Sequence, residues 1–260
     1  MCFLMDKNYS LIKRLIVLIS SVFLFYIFIH AKFLVDSIND ITSNVILILI
    51  VVVVYMIFVK YVKKQNLITE KYMKTENGNW HWKLTLIFLG LLANLCLNSK
   101  FNSNTENQKL VEKQNQHLDM YTQLVHDCLN AGIIEEICFR GLIFIFIFSI
   151  FNYFFSKRKQ QNDWLSLISF VLVSSCIFGI IHVINGGDWN NISVYFISGL
   201  IFSVMFILSK DIKTCMICHA LINAFPIFNH THLNYIEPLT YIVLGVVSFC
   251  YVVRNYRKWL

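Results

Sequence analysis

Apolar residues gather along this chain in eight long runs, at 15–31, 45–62, 84–97, 131–155, 165–184, 192–208, 214–228 and 239–253, separated by short polar or charged punctuation. A helix perpendicular to a bilayer needs roughly 20 such residues to cross a ~30 Å hydrocarbon core. Several of the runs are shorter, the third most obviously, so the pattern predicts a bundle that is tilted, thinned or partly re-entrant. The stretch from Asn98 to Asn130 is the polar exception, rich in Gln, Asn and mixed charge. Its later part, from His117 to Leu129, reads either as an amphipathic helix on the membrane surface or as a solvated loop. The first run is too long for a removable signal peptide and lacks a small-residue cleavage site, so it reads as a retained helix. There is no internal repeat and no Gly/Pro-rich linker. The pattern divides the chain into about three N-terminal helices with the polar stretch (1–130), a helical core (131–230), and a last helix with a basic tail (231–260).

Composition agrees with this pattern and sets its solvent. Hydrophobic residues make up 57% of the 260 positions and charged ones only 14%, with a mean hydropathy of +0.61. That excludes a water-soluble fold and leaves an all-α, polytopic membrane protein of about eight spans. The net charge of +7 could suggest nucleic acid, but the 22 basic residues sort by loop. Most fall on one side: Lys7, Lys13, Arg14, the lysines between Lys60 and Lys83, Lys157-Arg158-Lys159, Lys210, Lys213, Arg254, Arg257 and Lys258. Lys32, Lys100, Lys109 and Lys113 fall on the other, and Arg140 lies within a span. This is the bias that orients membrane proteins with basic loops inside. It requires no nucleic acid and predicts both termini in the cytoplasm. Cys96, Cys138, Cys176, Cys215, Cys218 and Cys250 sit in or at the ends of apolar runs, where a thiol behaves as a small hydrophobe, so no disulfide framework is implied.

Against this apolar background a few polar residues stand out. Glu135 and Glu136 are followed by Arg140 inside the fourth run; Phe178 precedes His182 by one turn at the end of the fifth; His219 and Asn223 stand at i and i+4 in the seventh. Ionisable groups at membrane depth cost several kcal/mol and mark function. On a helix of 3.6 residues per turn Glu136 faces Arg140, while Glu135 points ~100° away. Glu135 then has no cation of its own in the sequence, sits beside a like charge and is desolvated, conditions that suit a carboxyl group to general base and acid chemistry. The alternative is a buried Glu–Arg clamp between helices, with Glu135 merely facing a wet cavity. His182 alone fits an interfacial or core histidine, and His219 with Asn223 alone fits hydrogen bonding between helices. Together, a carboxylate pair, two histidines and an amide on three apolar helices suit activation of a water and stabilisation of an oxyanion within a bilayer.

These three motifs, Glu135-Glu136-x-x-x-Arg140, Phe178-x-x-x-His182 and His219-x-x-x-Asn223, in this order on successive apolar segments, resemble those of the CAAX protease and bacteriocin-processing family, the Abi family of intramembrane endopeptidases. The resemblance spans 131–228 and implies an eight-helix bundle with a conical intramembrane catalytic cavity. It also implies cleavage of lipid-modified or membrane-anchored proteins or of small peptides, the last in bacteriocin maturation or self-immunity. By the same resemblance Glu135 is the base that activates water, His182 assists it, and His219 and Asn223 donate to the oxyanion. Glu136, Arg140 and Phe178 then support the site. The family has also been described as metal-dependent, which makes Glu135, His182 and His219 an alternative zinc set. The chain lacks the His-Glu-x-x-His helix of common zinc proteases, so the expectation is no cofactor.

Cys215-Met216-Ile217-Cys218-His219 also matches the attachment signature for c-type haem. Its place on the cytoplasmic side, just after Lys213, argues against haem and for small packing residues beside a functional histidine. Depth poses a difficulty. With straight rods, Glu135 and His182 lie near the outer end of their spans and His219 is six residues, ~9 Å, from the inner end of its own. In a ~30 Å core that leaves a gap on the order of 15 Å, which tilt, a deep cavity or a deeper start of the seventh helix would have to close. The leading expectation is an intramembrane endopeptidase of a bacterial cytoplasmic membrane, the Ile, Asn, Lys and Phe bias suggesting an AT-rich genome. Its partners would be a peptide or membrane-anchored substrate and the lipid bilayer. The alternatives are a non-catalytic immunity or interaction protein of the same fold and a proton-coupled transporter using Glu135.

Overall fold

The computed structural model describes residues 2–36, 40–65, 79–101, 113, 117–155, 163–184 and 187–259, apart from the side chains of 2–10, 36, 98, 101, 152–155, 163 and 257–259. The basic positions Lys71, Lys74 and Lys157-Arg158-Lys159, and most of the polar stretch 102–116, lie outside the described residues.

Among the described residues there are eight helices, one for each apolar run: α1 (Cys2–Asp36), α2 (Ile41–Lys64), α3 (Trp80–Phe101), α4 (120–155), α5 (Asp163–Ile184), α6 (Ile192–Ser209), α7 (Ile212–Asn229) and α8 (Ile236–Trp259). This is an integral, multi-pass membrane fold. Local chemistry sets several helix ends. Asp40 caps α2 by accepting from the backbone N–H of Ser43 at 2.8 Å, and Asp119 caps α4 by accepting from Tyr121 and Thr122. These caps satisfy amides that an N-terminal turn leaves without partners. Asp119 lies outside the spans, and the Thr122 hydroxyl and amide hold its carboxyl below the usual carboxylate range. The α6–α7 corner turns in two residues, with Lys210 left-handed (φ 51°) and Asp211 capping α7. Lys83 of α3 clasps that corner through Asp211 at 2.6 Å.

Segments of α1, α2, α3, α5, α6 and α8 are long and apolar enough to cross a membrane. Glu135, Glu136, Arg140, His219 and Asn223 are carried by α4 and α7, and their surroundings make this possible. α4 is wrapped by α1, α2, α5 and α7, and from Asn130 to Ile145 all its residues except Ile133 are buried. A helix enclosed by protein can carry polar groups that a lipid-facing helix cannot. Close approach of α4 to α7 requires Gly132, where a Cβ would lie 3.2 Å from the backbone of Met216 and Ala220.

One expectation needs correction at α4. The segment from His117 to Leu129 is neither a surface helix nor a loop over most of its length: from Met120 it is the first part of α4, with Thr122, His126 and Cys128 buried. The helix therefore begins well before residue 131, and Glu135 stands midway along it. Much of it is wound as π-helix, over Leu124–Glu135 and Ile137–Leu142, a wide helix that elsewhere usually occurs as single turns at functional sites.

Two apolar clusters flank the middle of α4. One joins α1, α2, α4 and α5 through Val17, Val51, Phe139, Phe148, Phe170 and Phe178. The other joins α3, α6, α7 and α8 through Leu91, Phe202, Met205, Cys215, Cys218 and Leu244. Arg140 of α4, with Glu136 on it, lies where these clusters meet.

Candidate functional site

The fourth helix presents its two glutamates to different surroundings. Glu136 is fully buried. Its Oε1 accepts from Arg140 at 3.0 Å, the i,i+4 pair that the spacing predicts, and from His219 Nδ1 at 2.8 Å. Arg140, also fully buried, donates to the Gly199 carbonyl at 3.2 Å. Its guanidinium lies 4.8 Å from the ring centre of Phe178, 5.0 Å from that of Phe202 and 5.7 Å from that of Phe139. This aromatic cage holds a desolvated cation by attraction to the ring faces.

Glu135 retains a little exposure, 7%. Its Oε1 lies 3.4 Å from Lys32 Nζ, so the expectation that Glu135 lacks a cation is wrong. Lys32 belongs to α1, a hundred residues away in sequence, and only the packing of α1 on α4 makes the pair. On the other oxygen two histidines converge: Glu135 Oε2 is 3.5 Å from His182 Nε2 and 4.0 Å from His219 Nε2. Both rings are turned this way by what their other nitrogens do. His182 Nδ1 bonds the Phe178 carbonyl at 2.8 Å, and His219 Nδ1 bonds Glu136. Each Nδ1 faces an oxygen acceptor and therefore carries a hydrogen, so that Nε2 has a lone pair whenever the ring is neutral. Glu135 Oε2 is buried and has no hydrogen-bond partner among the described residues.

The ~15 Å depth gap expected from straight rods is closed, because Glu135 lies midway along α4 and His219 reaches it. Six of the seven expected residues thus form one connected cluster. The seventh, Asn223, lies one turn further along α7, where its amide donates to the Asp127 carbonyl at 2.8 Å, near the start of α4.

Helix α6 contributes residues that no motif marked. The Tyr195 ring stacks on His182 (5.1 Å between centres, 23° between planes) and Phe202 stacks on His219 (4.9 Å, 20°), while Gly199 between them supplies the carbonyl for Arg140. Their spacing, i, i+4 and i+7, puts all three on one helix face. That stripe is present in the sequence but is indistinguishable there from ordinary apolar packing. Gly199 also permits close contact with α5, since a Cβ would lie 2.9 Å from Ser175 Cα.

The haem-like cysteines are packing residues. Cys215 and Cys218 are fully buried, with their thiols on the carbonyls of Phe202 and Ile87. Among the described residues, no group of three or more His, Cys, Asp or Glu side chains is arranged to hold a metal ion. Lys32 also already places a fixed positive charge on Glu135, in competition with any divalent ion.

With the geometry in view, the comparisons with known proteins bear on the same region. Residues 118–225 match the family described as type II CAAX prenyl endopeptidase Rce1-like. The match takes in all three motifs and leaves α1, α2 and α3 outside it. No curated protein and no solved structure matches the chain.

Proposed function

We propose, from the match of residues 118–225 to a family of endopeptidases, that the protein hydrolyses a peptide bond within the membrane by glutamate-activated water. The observation that carries this reading is the convergence of His182 Nε2 and His219 Nε2 on the partnerless Glu135 Oε2, at 3.5 and 4.0 Å. Neither separation is a hydrogen bond, and two lone pairs facing a carboxylate oxygen call for a shared donor between them. A water at that apex can donate one hydrogen to Glu135 and the other to an imidazole. In the forward step its oxygen attacks the scissile carbonyl carbon, Glu135 takes the proton, and His182 steadies the water. The second amide hydrogen of Asn223 is then the donor proposed to face the developing oxyanion, and His219 Nε2 can join it only when it carries a hydrogen. Glu136, Arg140 and Phe178 keep the two histidines in register.

The proposed substrate is a small peptide precursor or a lipid-modified or membrane-anchored protein, and the proposed setting is a bacterial cytoplasmic membrane with both termini inside. Maturation of a bacteriocin-like peptide, or immunity to one, is the physiological role most in keeping with this reading. The test is hydrolysis of internally quenched peptides, with and without a farnesylated cysteine, by the full-length protein in liposomes. Protein purified through chelator is expected to retain its activity and to carry metal well below one equivalent by elemental analysis. One zinc per chain, with activity lost on stripping and restored only by readdition, would overturn the metal-free mechanism.

A further inference from the structure

We propose that Lys32 is a catalytic cation of this site, which holds the Glu135 carboxylate before water is activated and becomes the counter-ion of the tetrahedral oxyanion afterwards. The inference rests on the peptidase reading above, and it concerns a residue of α1 that lies outside the segment matched to the family. Three observations carry it. Lys32 Nζ is 3.4 Å from Glu135 Oε1, on the oxygen opposite the one the histidines face. Its side chain is largely enclosed, at 13% exposure. It also stands one turn from the end of α1, where a long lysine stem could extend toward the interface and water, and yet it turns inward onto α4.

Charge bookkeeping around α4 gives this placement its meaning. Two ion pairs lie here, Glu136 with Arg140 and Glu135 with Lys32, and each sets one positive against one negative charge. During attack an O–H bond of water breaks and its proton goes to Glu135. The water oxygen forms a bond to the carbonyl carbon, and the π pair of the C=O moves onto the carbonyl oxygen. Glu135 is then neutral and the oxyanion carries the negative charge. Without a cation nearby, that charge would stand alone in a low-dielectric site. With Lys32 present, the ammonium released by Glu135 pairs with the oxyanion, and the negative charge keeps a counter-ion throughout. Asn223 cannot substitute in this respect. Its amide is neutral, and it lies against Asp127 rather than against the reacting carboxylate.

The experiment compares full-length wild type, Lys32→Met, Lys32→Gln, Lys32→Arg and Glu135→Gln in liposomes, on the farnesylated and unlipidated quenched peptides. Two inhibitors built on the same peptide are added: an anionic phosphinate that mimics the tetrahedral species, and a neutral ketomethylene isostere that mimics the substrate. Lys32→Met and Lys32→Gln are expected to lower kcat by roughly 10²–10³, the size of a lost oxyanion contact, with KM little changed. Phosphinate affinity should fall by a similar factor while ketomethylene affinity stays near wild type. Lys32→Arg should recover a large part of both. Wild-type turnover in Lys32→Met and Lys32→Gln overturns the inference, as does an equal loss of both inhibitors that Arg does not restore, since that marks a structural role. An inert Glu135→Gln beside a fully active Lys32→Met sinks the Lys32 role alone. Wild type inert on both peptides, or Glu135→Gln as active as wild type, overturns the peptidase reading and this inference with it.

Discussion

Glu135 and Glu136 are neighbours in the chain, yet they occupy two different kinds of place. Glu136 is in the dry half of the site: fully buried, bonded to Arg140 and His219, and closed in by the Phe139, Phe178 and Phe202 rings around the guanidinium. Glu135 is in the half that retains some exposure, with one oxygen on Lys32 and the other, buried but without a hydrogen bond, between two imidazoles. The difference teaches how a membrane protein divides two tasks between like residues. A carboxylate committed to hydrogen bonds on a rigid scaffold fixes geometry, and a carboxylate with an open oxygen remains available for chemistry. Histidine 219 joins the halves, since its Nδ1 is held in the dry one and its Nε2 is presented to the other.

Four measurements can break or sharpen this division. Glu135→Gln removes the proposed base without a large change in shape, and is expected to lower kcat/KM by about 10²–10⁴ while folded, membrane-inserted yield stays near wild type. Glu136→Gln strands a buried guanidinium instead. Loss of one partner of such a pair costs about 3–5 kcal/mol, so thermal melting in detergent should drop sharply, with activity falling as a consequence. A stable, inactive Glu136 variant together with an unstable Glu135 variant would reverse the assignment of the two halves.

Smaller effects are expected away from the carboxylates. Gly199→Ala places a Cβ 2.9 Å from Ser175 Cα, and the overpacking should cost about 1–3 kcal/mol. It should also disturb the carbonyl that Arg140 uses, so stability and activity should fall together. A variant with unaltered melting would show that α5 and α6 have room to move apart. The smallest effect should come from Asp119→Ala at the start of α4, which removes the cap on the helix that carries both glutamates. Because the carboxyl of Asp119 is held below its ordinary range in the folded protein, its contribution is present above the usual carboxylate pKa and is lost as pH falls through the lowered value. Melting curves of wild type and variant should therefore differ slightly at neutral pH and draw together in acid.

Much of this molecule is legible in its sequence, for reasons particular to membranes. Each of the eight apolar runs became a helix because bilayer hydrocarbon offers the backbone no other partner. The Glu136–Arg140 pair followed from i,i+4 geometry, and the polar residues of α4, α5 and α7 stood out because charge is scarce in such segments. The start of α4 was not legible, since residues 117–129 look polar in one dimension, and Thr122, His126 and Cys128 among them are buried only because other helices, α2 and α7 chief among them, cover part of the segment. Nor was the meeting of Glu135 with His219, which depends on how deeply two helices lie relative to each other. Lys32 and the Tyr195-Gly199-Phe202 stripe were hidden for a related reason: a lysine near a helix end and aromatics on an apolar helix are ordinary features until another helix is packed against them. Local pattern and charge scarcity determined the elements and which residues were unusual. Tertiary packing alone decided which of those residues share a site, because contacts between distant segments depend on depth and rotation, and no spacing within one helix records either.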